Sequence, residues 1–311
     1  AIPDNISSHY SKLSSMHHPL LQTFAYANAQ RRLLTLEEVY RYQIKTQYTL
    51  SEIASEIAKI PQITTKQGLY GLILDFEELL SLRQEKGRES IRRYRRVKHF
   101  GRLLISIPYI RGLFLAGSSS FSTGNAKKES DIDVFIVTKA NRMWLTRLLI
   151  TSITHILGIR RAGVIEENRF CLNHYITDNA LIRPDHTLYS AQLYSDYIAI
   201  GKESQEILQS FWQDNTWRQE LYPQAIPREY PDMSMIQPYR IKYLIEYIWD
   251  HASVDIWNAL AKWIQVQKIK SNTIQSNATN RIQVSDRELE FHPEPNSDKI
   301  EHTMKQIIQQ I

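Results

Sequence analysis

The sequence predicts an α+β fold in which a few strands are flanked by helices, with a helical module before them and a helical region after them. Residues 113–138 consist of an apolar run, a small polar loop and a second, β-branched run, which is typical of strand, loop and strand. Residues 170–177 form a further run of strand character. Residues 239–269 repeat apolar side chains at helical spacing, so we expect a long helix or a helix pair there.

The composition is that of a globular protein that folds without disulfides. A length of 311 residues suggests about two domains, and 42% apolar and 23% charged residues fit a soluble chain. No run approaches the roughly 18 apolar residues that a membrane span needs, so no membrane partner is expected. Cys171 is the only cysteine and the first residues show no signal-peptide pattern, so we expect a reducing, cytoplasmic location with Cys171 in the core.

The N-terminal segment predicts two helices and a small hairpin, an arrangement that resembles a winged helix. Residues 1–33 show no sustained periodicity, and we expect an arm. Thr35 and Thr49 are each followed three residues later by a glutamate, so both are predicted to begin helices through capping boxes. Residues 63–72 predict two short strands around a turn. Such a module could bind DNA or could contact another protein.

A strongly basic helix is predicted next. Residues 76–107 are expected to form a helix that is broken or kinked near Gly87 and ends before Pro108. Residues 83–102 carry nine lysine and arginine side chains against two glutamates, a net charge of +7, which leaves −2 for the rest of a chain whose total is +5. This segment is either a solvated connecting helix or a surface that attracts a polyphosphate or a nucleic acid.

Two aspartates in the second predicted strand are the main candidates for chemistry. Asp131 and Asp133 lie two positions apart, so their side chains project from the same face. Carboxylates this close repel each other unless a cation lies between them. Oxygen ligands of this kind favour Mg²⁺, with Mn²⁺ as the alternative, together with substrate phosphates. The preceding loop is rich in glycine and serine, so its backbone amides can approach a phosphate closely.

These residues resemble the signature of the DNA polymerase β-type nucleotidyltransferase superfamily, and the resemblance extends over residues 111–178. The residues that carry it are Gly117, Ser118, Gly124, Ser130, Asp131 and Asp133. The resemblance implies a nucleotidyltransferase fold with a mixed sheet, Mg²⁺ bound by the two aspartates, and an NTP bound by the four loop residues. The loop from Gly117 to Gly124 is longer here than in the commonest form of that signature.

The same resemblance implies a third carboxylate on the next strand, and residues 170–177 contain none. Strict alternation places Cys171, Asn173 and Tyr175 on one face of that strand. We predict that Asn173 takes the place of the carboxylate, as a ligand that cannot accept a proton. His174 is expected to be a hydrogen-bonded core residue or, alternatively, a base. The carboxylates that could substitute from flanking loops are Glu166, Glu167 and Asp178.

The remaining segments are predicted to be mostly helical. Asn141 is expected to cap a helix that runs to Leu157 and stops at Gly158, and residues 188–212 are expected to form a helical run. Residues 270–280 are expected to be mobile, and the tail after them is expected to fold back on the basic helix or to be disordered. Arg142 and Arg147 could face either the site or solvent. Arg160 and Arg161 are expected on the surface.

These predictions divide the chain into four segments. They are an arm at 1–33, the winged-helix-like module with the basic helix at 34–107, the nucleotidyltransferase domain at 108–222, and a C-terminal helical region and tail at 223–311. Prolines between residues 223 and 231 mark the last boundary. The tryptophans of the C-terminal region are expected in a core or at an interface: Trp249, Trp257 and Trp263.

The leading hypothesis for function is a metal-dependent nucleotidyltransferase. It would transfer an NMP from an NTP to an acceptor and release pyrophosphate, and the acceptor could be a protein, an RNA or a small molecule. The alternative is a catalytically weak or inactive nucleotide-binding regulatory protein whose winged-helix-like module is the output. A third hypothesis is a structural subunit that acts through its C-terminal helices.

Overall fold

The computed structural model describes residues 18–117, 131–161, 167–226, 230–276, 282–291 and 296–311. Within these ranges the chain is a mixture of helices and two sheets, so the predicted α+β class is confirmed. No described helix combines the length and the apolar character that crossing a membrane requires.

Within residues 18–72, the N-terminal module has three helices and a small antiparallel sheet. Its elements are α1 (Pro19–Ala29), β1 (Leu34–Thr35), α2 (Leu36–Tyr42), α3 (Leu50–Ile57), β2 (Ile63–Lys66) and β3 (Leu69–Leu72). Both predicted capping boxes are confirmed: the Thr35 and Thr49 hydroxyls accept from the amides of Glu38 and Glu52, whose carboxylates accept in return. The hairpin is also confirmed, and β1 joins it in the order β1-β3-β2. Among the described residues of the expected arm, α1 is instead a helix buried in this module's core.

The basic helix α4 (Phe76–Ile105) runs for 30 residues without interruption, so the predicted break near Gly87 is wrong. One glycine costs a helix only about 1 kcal/mol. The residues around Gly87 compensate, because Lys86 and Ser90 are buried and hydrogen-bond to backbone carbonyls. The predicted stop before Pro108 is confirmed.

Among the described residues the large sheet has six strands in the order β7-β4-β5-β6-β9-β8. Three of them were predicted: β4 (Ile110–Leu115), β5 (Ile132–Thr138) and β6 (Phe170–Thr177). β4 and β5 are antiparallel, whereas β5 and β6 are parallel and are connected through α5 (Met143–Ile156). The sheet is therefore mixed. One apolar core lies between one face of the sheet and the helices α4 and α5, and a second apolar core covers the opposite face.

Helix boundaries differ from prediction where the backbone takes a left-handed conformation. Arg142, and not Asn141, is the N-cap of α5, since Asn141 has a φ of 61°. Gly158 does end that segment, with a φ of 62°. The predicted continuous run at 188–212 is wrong, because a short strand separates its two helices and Gly201 (φ 94°) is the N-cap of the second. The observed elements are α6 (Leu188–Ser195), β7 (Ile198–Ala199), α7 (Lys202–Asp214), α8 (Arg218–Leu221) and α9 (Pro231–Ser234).

The C-terminal region forms the predicted helix pair, followed by a tail that joins both parts of the fold. The pair is α10 (Ile241–His251) and α11 (Val254–Ser276), and the tail contains β8 (Ile282–Val284), β9 (Glu288–Phe291) and α12 (Asn296–Gln310). Strand β9 pairs with β6, and α12 packs its buried side chains into the core of the N-terminal module. The expectation that the tail covers the basic helix or is disordered is therefore wrong for its described residues.

Candidate active site at Asp131 and Asp133

The two aspartates lie together at the start of β5. Asp131 directly precedes the strand and is buried, and Asp133 is its second residue and is half-buried. Side-chain ligand atoms of Asp131, Asp133 and Cys171 lie within 4.8 Å of one another. The chain therefore brings two carboxylates and one thiol to a single site.

The surroundings of Asp133 make it unfavourable for Asp131 and Asp133 to be ionised at the same time without a cation. Burial, and then the neighbouring Asp131 carboxylate, raise the pKa of Asp133 well above its usual range, although the Cys171 thiol, Arg93 and Arg161 oppose the shift. A divalent cation between the carboxylates would relieve this repulsion. The donor set fits such an ion, because Mg²⁺ is commonly bound by one or two protein carboxylates plus substrate oxygens.

Gly117 lies against the Asp133 carboxylate. Its φ of 62° is strained for other residues, and a Cβ added there would lie 3.0 Å from Oδ2 of Asp133. The Ala116 amide donates to the Asp133 carbonyl at 3.0 Å, which holds the end of β4 beside the site. The other predicted nucleotide-binding residues lie outside the described residues: Ser118, Gly124 and Ser130.

Arg161 belongs to the site, although the sequence analysis predicted it on the surface. Its Nη1 donates to Oδ2 of Asp131 at 2.7 Å and lies 3.9 Å from Sγ of Cys171. The Arg161 amide donates to the Phe170 carbonyl at 3.0 Å, so pairing with the start of β6 brings this arginine to the aspartates. No local signal predicts this contact, because the partners are 30 residues apart.

The basic helix also supplies one arginine to the site. Arg93 is fully buried, and its Nη1 donates to the Asp131 carbonyl at 3.1 Å. Burial lowers the pKa of Arg93, while Glu89, Asp133 and Asp131 oppose that shift. Helix α4 therefore holds the segment that carries the aspartates, and part of its charge is not a solvated face.

The residue opposite Asp133 is Cys171, and the predicted alternation along β6 is wrong. Asp133 pairs with Cys171 and Phe135 pairs with His174, so β6 contains one extra residue in this interval. The register shift moves Tyr175 into the core on the other side of the sheet. Asn173, predicted to replace the third carboxylate, is half-buried within this irregularity and is not the residue in register with Asp133.

The other candidate bases and ligands have structural partners. Glu167 pairs with Arg92 at 3.0 Å, and Asp178 accepts from the Ala140 amide at 2.9 Å, roughly 20 Å along β6 from Cys171. Glu166 lies outside the described residues. His174 packs its ring edge-on against Phe135 at 4.7 Å, and its Nε2 lies 3.1 Å from Glu288.

Arg142 and Arg147 contact the C-terminal helices rather than the aspartates. Arg142 pairs with Asp255 at 2.5 Å, and Arg147 donates to Gln265 at 2.6 Å. Both therefore connect α5 to α11.

The site combines side chains of the types that could hold a cation with an adjacent arginine. Burial, followed by the two carboxylates, raises the pKa of the Cys171 thiol, so the thiol is neutral near pH 7 and is a weak ligand. Two carboxylates then remain as strong metal donors, with Arg161 half-exposed beside them.

Comparison of the chain with protein-family models, with curated proteins and with solved structures found no match.

Proposed function

We propose that the protein is a metal-dependent nucleotidyltransferase. In the reaction the acceptor oxygen forms a bond to the α-phosphorus of an NTP, the bond from that phosphorus to the bridging oxygen breaks, and pyrophosphate leaves. The acceptor hydroxyl loses its proton to solvent or to a base. The observation that carries the proposal is the pair of same-side carboxylates, Asp131 and Asp133, with Gly117 directly against them.

Asp131 and Asp133 would hold the Mg²⁺ ions, with Mn²⁺ as the alternative. When bound, the metal would neutralise phosphate charge and lower the pKa of the acceptor hydroxyl. Gly117 has no side chain and a φ of 62°, so its backbone could approach phosphate oxygens closely. Arg161 is half-exposed and can pair with a phosphate as well as with Asp131.

The connectivity around the site supports the nucleotidyltransferase interpretation. An antiparallel pair, β4 and β5, is followed by a helical crossover to the parallel strand β6. This is the mixed sheet that the resemblance at Gly117 to Asp133 implies. We include a cytoplasmic location in the proposal, because the only cysteine is a buried free thiol.

A specific observation favours a second candidate, a nucleotide-binding protein that transfers slowly or not at all. The position in register with Asp133 holds Cys171, which offers a neutral thiol where a third carboxylate would be useful. Without that anion, activation of the acceptor hydroxyl would depend on solvent. Loss of a positioned general base commonly lowers a rate about 10²- to 10⁴-fold.

The N-terminal module has the element order of a winged helix, and we propose that it contacts protein. Two observations support a winged-helix fold: the sheet order β1-β3-β2, and the element order helix, strand, helix, helix, strand, strand. Its third helix, α3, is acidic, with Glu52 exposed, and the nearby Lys59 pairs with Glu56 at 2.6 Å. An acidic recognition helix repels a phosphate backbone, so DNA binding through α3 is disfavoured.

Label transfer from α-³²P-NTP distinguishes the two candidates. All four NTPs would be tested with Mg²⁺ and Mn²⁺, alone and with total RNA or protein as acceptor. An enzyme labels an acceptor and releases pyrophosphate, whereas a sensor binds the NTP without either. NTP binding by calorimetry should disappear in the double variant Asp131→Asn with Asp133→Asn.

The matched control is Asp214→Asn with Glu220→Gln, which removes two exposed charges away from the site. The control should bind the NTP like the wild type. If the site variant also binds Mg²⁺–NTP like the wild type while keeping its circular dichroism spectrum, both candidates are wrong.

A further inference from the structure

The two C-terminal helices turn their polar sides toward the body of the protein. On α10, Lys242 is 1% exposed and its Nζ donates to the Ile110 carbonyl at 2.8 Å and to Glu203 at 2.7 Å. Glu246 accepts from the Tyr109 amide at 2.6 Å and from Arg111 at 2.8 Å. Helices on a folded surface ordinarily bury their apolar side, so α10 has the opposite orientation.

Helix α11 contacts the body in the same manner. Asn258 accepts from the Leu145 amide at 3.0 Å, and Gln265 donates to the Trp144 carbonyl at 2.7 Å. Ala261 is the small buried residue between them. Polar and small side chains thus form much of the contact of α11 with the body, together with the apolar Val254, Val266 and Ile269. Five other large apolar side chains of α11 are left on the outside: Ile256, Trp257, Leu260, Trp263 and Ile264.

The outward apolar side chains form what we call the C-terminal face. Its most exposed members are Ile256, at 68%, and Tyr247 and Trp263, at 64% each. The full set is Ile241, Tyr243, Leu244, Tyr247, Ile248, Ile256, Trp257, Leu260, Trp263 and Ile264.

The size of this face exceeds what a monomer normally exposes. From these fractions the face presents on the order of 1,000 Å² of largely apolar surface, against about 300–600 Å² for the largest patch on a typical monomer. Two such faces together would bury on the order of 2,000 Å², which reaches the range of stable, specific interfaces. Exposed tryptophan and tyrosine are also the side chains that dominate binding energy at interfaces.

The chemistry of the face favours a protein partner over a membrane. Between residues 241 and 264 its exposed positions include no lysine or arginine, because Lys242 is buried and Lys262 is half-buried and pairs with Asp286 at 2.7 Å. The exposed cations of the two helices lie only toward their outer ends, at Arg240, Lys268 and Lys270. Helices that lie on anionic membranes place cations on the side next to the apolar one.

The face can also complement itself. A cavity of about 330 Å³ lies between the helices and is lined by Leu145, Trp249 and Trp257. An apolar cavity of about half that volume admits a benzene ring. A surface with both protruding aromatic side chains and an apolar cavity can contact a second copy of itself through a two-fold axis.

We propose that the C-terminal face is the dimerisation surface of this protein, with a second copy of the same chain as its occupant. The α10 and α11 helices of two copies pack together, and aromatic side chains of each copy enter the cavity of the other. This proposal stands independently of the nucleotidyltransferase activity.

Sedimentation equilibrium of the full chain tests the proposal. The wild type should have twice the mass of one chain at concentrations of about 1 to 100 μM, and Trp257→Glu with Trp263→Glu should raise the dimer Kd by roughly 100-fold or more. The control is Ile182→Glu, which places the same charge on a residue that is 71% exposed outside the face. It should sediment like the wild type.

Cross-linking keeps the test valid even if the double variant folds poorly. Cys171 is the only cysteine and is buried, so a cysteine introduced on the surface dominates the reaction with a bis-maleimide. Tyr247→Cys should give a covalent dimer, and Ile182→Cys should not.

A wild type of single-chain mass over that range overturns the proposal, as does equal cross-linking of the two cysteine variants. A monomer that floats with anionic vesicles overturns it in favour of a membrane surface. A monomer that gains mass only when a different protein is added overturns it in favour of a foreign partner.

Discussion

Arg161 holds Nη1 2.7 Å from Oδ2 of Asp131, so the site carries its own positive charge against one of the two proposed metal ligands. Burial would lower the pKa of Arg161, but Asp131 outweighs burial and raises it. The arginine therefore remains charged and balances part of the negative charge that a divalent cation would otherwise neutralise.

Replacing Arg161 should tighten binding of Mg²⁺ in the absence of nucleotide. Arg161→Gln removes the competing charge, and we expect a Kd for Mg²⁺ roughly 3- to 10-fold lower, because opposite charges at this distance are worth about 1 kcal/mol in a half-exposed site. Titration calorimetry with MgCl₂ measures the Kd for Mg²⁺ in the variant and in the wild type. Arg95→Gln, an exposed arginine on α4, is the control. An unchanged Kd in Arg161→Gln would show that the arginine and the metal do not compete.

A carboxylate at position 171 should strengthen the proposed metal site, and one at position 173 should not. Cys171 is in register with Asp133, whereas Asn173 lies in the irregular part of β6. We expect Cys171→Asp to be less stable than the wild type without metal, because a third buried carboxylate repels the other two. Mg²⁺ should restore its melting temperature and raise pyrophosphate release. Asn173→Asp is the matched control, and a larger gain in that variant would show that position 173 provides the ligand.

Asp133→Asn should stabilise the metal-free protein while it abolishes metal binding. Burial and Asp131 raise the folded-state pKa of Asp133, so the cost of ionising it in the folded protein appears as the pH rises above the unfolded-state value. Asparagine does not ionise, so the variant's advantage in melting temperature should grow from pH 4 to pH 8. Asp214→Asn should show no such trend. Equal melting curves for Asp133→Asn and wild type at pH 8 would contradict the proposed repulsion.

Glu288 should make the fold acid-sensitive. Burial opposes its ionisation, but hydrogen bonds from His174 and Arg183 outweigh burial and lower the pKa of Glu288 to about 2. Because the folded pKa is depressed, the stabilisation is complete above the unfolded value near pH 4.5 and is lost as the pH falls toward 2. We expect Glu288→Gln to reduce the free energy of unfolding by about 2 kcal/mol at pH 7 and by less at pH 3.5.

Chemical denaturation at the two pH values measures this difference. Glu220→Gln is the control, since Glu220 is an exposed glutamate outside this cluster. A loss for Glu288→Gln that is the same at pH 7 and pH 3.5 would show that packing, and not charge, accounts for it.

The exposed arginines of α4 should control the salt dependence of polyanion binding. Arg88, Arg92 and Arg95 are exposed, whereas Arg93 is buried against Asp131 and is left unchanged in this test. Reversing the three exposed charges to glutamate should flatten the slope of log K against log salt for single-stranded RNA by about 2, because each neutralised phosphate accounts for about 0.7 of that slope. Fluorescence anisotropy at several salt concentrations gives the slope.

The control for that experiment reverses three exposed lysines elsewhere: Lys202→Glu, Lys299→Glu and Lys305→Glu. It produces the same change in net charge without touching α4. If both triple variants flatten the slope equally, the effect comes from net charge and α4 is a solvated connecting helix.

Local chemistry determined much of the secondary structure from the sequence alone. The capping boxes at Thr35 and Thr49 are satisfied within four residues, so their helix starts are encoded locally. The β-branched and apolar runs around Asp133 and at residues 170–177 likewise predicted β5 and β6. The spacing of two positions placed both carboxylates on one side of the chain, and the structure has them within 4.8 Å of each other.

The tertiary structure alone decided which residues complete the site and where the tail lies. Arg161 reaches Asp131 only because its backbone pairs with Phe170, and Cys171 faces Asp133 because an extra residue shifts the register of β6. Neither contact has a local signal, since strand register and pairing between distant segments depend on the packing of the whole sheet. For the same reason the pairing of the tail with β6 could not be predicted. The orientation of α10 could not be predicted either, because periodicity shows only that a helix is amphipathic. Its polar contacts with the body decide which side faces out.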